Sequence, residues 1–61
     1  MKKCILIITS DDTSQTFTTI DCDTRKVVHK HSTEYCYSDE EEQNQINLAT
    51  FFCSDYTIIK L

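Results

Sequence analysis

Neither glycine nor proline occurs anywhere in this chain of 61 residues. Average usage of about 7% glycine and 5% proline would place about four of the first and three of the second in such a chain. Loops that cradle a phosphate, dinucleotide-binding turns and nucleophile elbows all need glycine, because their backbone takes a positive φ or approaches a ligand closely. The chain is therefore expected to lack these sites and to build its turns from Asp, Ser and Thr.

The same absence has a second explanation in the genetic code. The residues with GC-rich codons (Gly, Ala, Arg and Pro) are represented only by Arg25 and Ala49. The residues with AT-rich codons (Phe, Tyr, Met, Ile, Asn and Lys) number 21. We infer a low-GC genome, such as that of a Firmicute or one of its phages.

Length and charge narrow the class of protein. The chain is long enough for a single domain, residues 1–61, and a domain this short buries only about 60% of its unfolded surface. The net charge is −4, from ten acidic and six basic residues, which argues against binding to nucleic acid or to an anionic membrane. The apolar run 4–8 is too short for a signal peptide or a membrane span, so a cytoplasmic location is expected.

The residue pattern predicts an α+β fold with the element order β-β-β-α-β, in which one helix packs across a small antiparallel sheet. An unbroken apolar run predicts that the first strand is buried on both faces. Ser38 and Glu41 form a capping box, which places the helix start at Asp39. The predicted strands cover 4–8, 16–22, 27–34 and 56–61, and the helix covers 39 to about 52.

Period-two alternation along the third strand assigns its residues to two faces. One face carries Val27, His29, His31, Thr33 and Tyr35. The alternate residues are largely polar and are expected to face solvent, so the first face is expected to meet the core or a partner.

Two histidines and two cysteines form the only candidate metal cluster in the sequence. His29 and His31 point the same way on a strand, and Cys22 and Cys36 flank them, which gives four ligands of the kind zinc uses. The spacing C-x6-H-x-H-x4-C matches no zinc pattern known to us, and two packed histidines are the simpler interpretation. A small zinc-binding regulatory protein is the alternative function. With Cys4 and Cys53, the cysteines are evenly spread, so free buried thiols are expected over disulfides.

No residue set predicts catalysis. The pairs Asp11-Asp12 and Asp21-x-Asp23 fall in predicted turns, where carboxylates form turns and stay solvated. Cys36 is the cysteine closest to the helix start, but the acidic residues that follow it oppose thiolate formation. We therefore expect no enzyme, no catalytic residue and no cofactor.

The acidic helix start and the aromatic residues near the helix end are the candidate partner-binding features. Four consecutive acids could mimic DNA or dock on a basic surface, although helix capping and solvation explain most of them. Phe51 and Phe52 point about 100° apart on a helix, so one of them is available for an interface. The candidate partner-binding residues are Asp39, Glu40, Glu41, Glu42, Phe51 and Tyr56.

These features predict a small non-enzymatic binding protein. It is similar in size and composition to the small proteins with which phages and mobile elements bind and block a host protein, such as an anti-phage defence enzyme. Strand edges without proline and a core short of residues further predict a homodimer.

Overall fold

A computed structural model of the protein describes residues 2–61, and these residues form a four-stranded sheet and one helix. The strands are β1 (Lys3–Ser10), β2 (Gln15–Asp21), β3 (Val27–Thr33) and β4 (Asp55–Lys60), and the helix is α1 (Asp39–Thr50). The order of strands across the sheet is β3-β2-β1-β4. The predicted α+β class and the β-β-β-α-β order are both confirmed.

One strand pairing differs from the predicted antiparallel sheet. β1, β2 and β3 pair antiparallel in succession, but β4 pairs parallel with β1, so the sheet is mixed. The path of the chain from β3 through α1 to β4 explains the parallel pairing. β1 and β3 run in the same direction, and α1 returns the chain over one face of the sheet. The strand that follows therefore starts at the same end as β1 and runs alongside it.

The helix starts where the sequence predicts. Ser38 Oγ accepts a hydrogen bond from the Glu41 amide at 3.4 Å, and the Glu41 carboxylate accepts from the Ser38 amide at 3.3 Å. This is the complete capping box, and it confirms the predicted start at Asp39.

The helix ends two residues earlier than predicted. The Cys53 amide bonds to the Thr50 carbonyl at 2.9 Å, and the Thr50 hydroxyl bonds back to the Ile46 carbonyl at 2.7 Å. The amides of Ser54 and Asp55 then turn to the Lys2 carbonyl, at 2.9 and 3.3 Å. These bonds draw the chain out of the helix and into β4.

The core lies between α1 and the helix-facing side of β1 and β2. Its buried apolar side chains are Leu6, Ile8, Phe17, Ile46 and Ala49. On the other side of β1, Ile5 and Ile7 are only half-buried. The prediction that β1 is buried on both faces is therefore wrong for one face, because α1 covers only the other. We call the side of the sheet opposite α1 the open face.

A β-bulge changes the predicted faces of β3. His29 pairs with Thr19 and His31 pairs with Phe17, so both histidines lie on the helix-facing side and are half-buried. The register then shifts, and Val27 pairs with Ile20 on the open face. Val27 therefore does not share a face with the histidines, contrary to the prediction, because the bulge adds one residue to β3 at this point.

The turn between β2 and β3 is formed without glycine, by hydrogen bonds to Asp21 and a positive φ at Arg25. The Asp21 carboxylate accepts from the Asp23 amide at 2.9 Å, and the Asp21 carbonyl accepts from the Arg25 amide at 2.7 Å. Arg25 has a φ of 61°, in the left-handed region that favours glycine. An arginine in this conformation costs free energy, since its Cβ crowds the following carbonyl.

The substitution Arg25→Gly is expected to stabilise the protein by about 0.5–1 kcal/mol. Relief of a left-handed conformation is worth about 1–2 kcal/mol, and the extra freedom of glycine in the unfolded chain removes about 0.5–1 kcal/mol of that gain. Urea unfolding followed by circular dichroism measures the difference. Lys26→Gly is the control and is expected to destabilise, because Arg25 has a positive φ and Lys26 does not. Equal destabilisation by both variants would contradict the prediction.

Candidate functional site

The structure separates the four proposed zinc ligands. Cys36 Sγ lies 3.6 Å from the Asp11 carbonyl oxygen, beside the β1–β2 turn. The Cys22 amide bonds to the Lys3 carbonyl at the opposite end of the sheet. The seven residues of β2 between these ends span about 23 Å, whereas zinc holds each sulfur at about 2.3 Å. Among residues 2–61, no group of three or more His, Cys, Asp or Glu side chains is placed to hold a metal ion.

The two histidines remain side by side, and one of them has a protein partner. His31 Nε2 lies 3.2 Å from the Tyr37 hydroxyl oxygen. The Tyr37 ring in turn packs against Phe17, with ring centroids 6.0 Å apart, and edge-on against Tyr35 at 5.3 Å. This geometry agrees with a half-buried, hydrogen-bonded His31.

All four cysteines are free thiols, and they differ in accessibility. Cys22 and Cys36 are exposed, whereas Cys4 is 2% exposed. Burial and a hydrogen bond with the neighbouring Cys53 thiol raise the pKa of Cys4 to about 11. Cys4 is therefore protonated at neutral pH, and a protonated thiol is a poor nucleophile.

Alkylation with iodoacetamide at pH 7.5 is expected to modify Cys22 and Cys36 at least about 100-fold faster than Cys4. Cys4 is buried, and its thiolate is rare because its pKa of about 11 lies above the value of about 8.5 for an ordinary thiol. Peptide mass spectrometry of time points measures the rates. In denaturing urea the cysteines should react at similar rates, which serves as the control. A native Cys4 that reacts as fast as Cys22 would contradict the assigned burial.

The aspartates at the strand ends are held in their ionised form. Asp11 accepts hydrogen bonds from the amides of Thr13 and Ser14, at 2.9 and 2.8 Å, which lower its pKa. The Asp23 amide hydrogen bond lowers the pKa of Asp21, and Lys2 adds to this with its Nζ at 3.7 Å. Asp21 is buried at the end of β2, where the sequence predicted a solvated turn carboxylate. A general acid needs the opposite shift.

These depressed pKa values predict a loss of stability in acid. A carboxylate whose pKa is lower in the folded state stabilises the fold above its unfolded pKa, near pH 4, and that stability is lost as the pH falls through the folded pKa. The melting temperature is expected to fall between about pH 5 and pH 2, and to fall less for Asp21→Asn than for the native chain. Thermal unfolding at stepped pH measures this. If the melting temperatures of the native chain and Asp21→Asn fall equally with pH, Asp21 does not contribute to the loss of stability in acid.

The acidic helix start has two internal roles. Glu41 completes the capping box, and Glu42 forms an ion pair with Lys60 of β4 that raises the pKa of that lysine. Asp39 and Glu40 are exposed at the first turn of α1. Of the four predicted acids, these two take no part in the capping box or in the Lys60 ion pair.

Two exposed apolar side chains lie one turn apart at the helix end. Phe51 is 81% exposed and Leu48 is 59% exposed. We call these two residues the helix-end patch. The ring of Phe51 packs edge-on against Phe52, with centroids 5.5 Å apart, and Lys2 Nζ lies 5.4 Å from the Phe52 ring. Tyr56 is 40% exposed on the helix-facing side of β4.

Sequence reasoning selected Phe51 and missed Leu48 and the open face. The signal for Leu48 was its i, i+3 spacing from Phe51 on the helix. The signal for the open face was that a single helix cannot cover both apolar faces of β1. The aliphatic side chains that β1, β2 and β4 place on the open face are Ile5, Ile7, Ile20 and Ile59.

Comparison with protein-family models, curated proteins and solved structures found no match to this chain. Within residues 2–61, α1 is too short and too polar to cross a lipid bilayer. The same residues form no detectable pocket. Two surfaces of this small α+β domain group apolar side chains that the core does not cover, namely the helix-end patch and the open face. Tyr56 and Ile58 are also exposed, on the helix-facing side of β4.

Proposed function

We propose that this chain is a small non-enzymatic binding protein that blocks a host protein, and that a phage or another mobile element encodes it. Its target would be a host factor such as an anti-phage defence enzyme, met in the host cytoplasm. The small size, the acidic charge and the AT-rich coding support the source. The exposed helix-end patch is the observation that carries the binding role.

The helix-end patch has the properties of an interface anchor. Aromatic side chains in rigid surroundings account for much of the binding energy at protein interfaces. Phe51 is 81% exposed, and its edge-on contact with Phe52 restricts the ring before binding. A restricted side chain loses less entropy on association. Full burial of a Phe side chain is worth about 1.5–3 kcal/mol, so a pocket on the target that accepts Phe51 would gain substantially.

The charge at the other end of α1 indicates the kind of target surface. Asp39 and Glu40 are exposed about 17–18 Å from Phe51 along the helix, at 1.5 Å per residue. A target with an apolar pocket and a basic rim at that distance would match both features. Rim charges of this kind mainly increase the association rate and orient the partner.

Affinity capture with point variants tests the proposal. Tagged protein is expected to capture one stoichiometric partner from the lysate of a low-GC bacterium. Phe51→Ala is expected to weaken capture at least about tenfold, since the anchor side chain is removed. Leu61→Ala is the matched control, because Leu61 is also exposed, at 77%, but lies outside the patch.

Three outcomes would contradict the proposal. They are capture of no partner, equal capture by native protein and Phe51→Ala, and equal losses with Phe51→Ala and Leu61→Ala. The double variant Asp39→Asn, Glu40→Gln tests the charge argument separately. It is expected to bind more slowly at low salt and to lose the salt dependence of the association rate.

The proposal includes a homodimer, because a second subunit would add buried surface to a chain this short. Its partners are then the host protein and a second copy of itself.

A further inference from the structure

We propose that two copies of this chain pack through their open faces, with the sheets stacked and the helices outside. The inference rests on the proposed function and deepens it, since it assigns the second copy to one surface and leaves the helix-end patch to the host target.

The residue pattern of β1 is the first argument. β1 lies between β2 and β4 and carries apolar side chains on both sides, but α1 covers one side only. On the open face Ile5 pairs with Ile20 of β2, and Ile7 pairs with Ile59 of β4. The four isoleucines thus form a continuous apolar stripe across three strands, which is the pattern of a sheet packed on both faces.

Charge selects a second copy as the occupant. The charged strand residues of the open face are Lys3, Lys30 and Asp55, a sum of +1 against −4 for the whole chain. Nine of the ten acidic residues therefore lie outside this set. Two copies repel each other least when these faces meet. A basic target would instead be attracted to the acidic start of α1.

The dimensions fit a stable dimer. The Cα trace measures 34 × 20 × 15 Å. The rectangle formed by its two longer extents is about 700 Å², so contact over the whole broad side would approach the ~800 Å² per partner of a standard protein interface. Two sheets packed at the usual spacing of about 10 Å would bury the isoleucine stripe of each copy. The product is a four-layer assembly in which the two helix-end patches point outward.

Two neighbouring residues of β4 provide a matched test. Ile59 is 39% exposed on the open face, and Ile58 is 40% exposed on the helix-facing side. Sedimentation equilibrium of the native chain at micromolar concentrations is expected to give twice the 7.1 kDa chain mass. Ile59→Lys is expected to weaken self-association at least about 100-fold, because an unpaired lysine would be buried in the interface. Ile58→Lys is expected to remain dimeric.

A second open-face variant guards against misfolding. Thr57 is exposed on the same face, so Thr57→Lys is expected to keep the native circular dichroism spectrum. It is also expected to be monomeric. A monomeric native chain would overturn the inference, as would dimers of Ile59→Lys. Equal loss of the dimer in Ile58→Lys and Ile59→Lys would also overturn it, since that result indicates pairing through the β4 edge. Capture of the host target by the native chain or by monomeric Ile59→Lys would leave the proposed host-binding role intact whatever the result for the dimer, so the two failures are distinguishable.

Discussion

Replacing Phe17 with alanine is expected to remove at least about a third of the free energy of unfolding. Phe17 is 1% exposed and packs with Leu6, Ile8, Ile46 and Ala49. Loss of a buried Phe side chain costs about 3–5 kcal/mol, because the transfer free energy is lost and a cavity remains. A domain of this length has a free energy of unfolding of about 3–9 kcal/mol, at roughly 0.05–0.15 kcal/mol per residue.

Urea unfolding followed by circular dichroism measures the effect of Phe17→Ala, at one protein concentration because the proposed dimer would add stability that depends on concentration. Phe51→Ala is the matched control. It removes the same atoms from a side chain that is 81% exposed, and it is expected to change stability by less than about 0.5 kcal/mol. A Phe17→Ala protein within 1 kcal/mol of the native chain would mean that the core lies elsewhere.

The substitution Thr19→Val is expected to cost about 1–3 kcal/mol although it preserves the shape of the side chain. The Thr19 hydroxyl donates to the Ala49 carbonyl at 3.0 Å, and both residues are 0% exposed. Ala49 lies in the last turn of α1, where carbonyl groups lack partners within the helix. Valine would leave this carbonyl buried without a hydrogen bond.

The adjacent residue is the control for this prediction. Thr18 is half-buried in the same strand, but it lies on the open face, opposite α1. The hydrogen bond to Ala49 belongs to Thr19. Thr18→Val is expected to leave the free energy of unfolding unchanged or slightly raised, as valine favours strands. Thermal or urea unfolding of both variants gives the comparison. If the two variants lose equal stability, the Thr19 hydroxyl does not fix the helix end.

Local sequence signals predicted the elements of this fold. The capping box at Ser38 located the helix start, because its two hydrogen bonds depend only on residues three apart. The apolar run of β1 and the alternation in β3 predicted strands from side-chain spacing alone. The polar runs that follow β1 and β2 marked turns, since Asp and Thr bond to nearby backbone.

Features that depend on contacts distant in sequence could not be predicted. The parallel pairing of β4 with β1 follows from the path of α1 over the sheet, which no local pattern records. Threonine occurs repeatedly in β2, and only the position of α1 decides that Thr19 is buried. Gln15 was placed outside the strand, yet it is buried and its side chain accepts from the Tyr37 amide at 2.8 Å. The candidate zinc ligands failed for the same reason, because spacing cannot show that Cys22 and Cys36 occupy opposite ends of β2.

The parallel pairing of β1 and β4 also determines how the molecule responds to mechanical force. Lys2 immediately precedes β1, and Leu61 immediately follows β4, where its amide bonds to the Ile8 carbonyl at 2.9 Å. A force that pulls these two residues apart slides one strand along the other. All the hydrogen bonds between the strands then carry the load together instead of opening one at a time. A force applied between Lys2 and Leu61 therefore loads the β1–β4 pairing in shear.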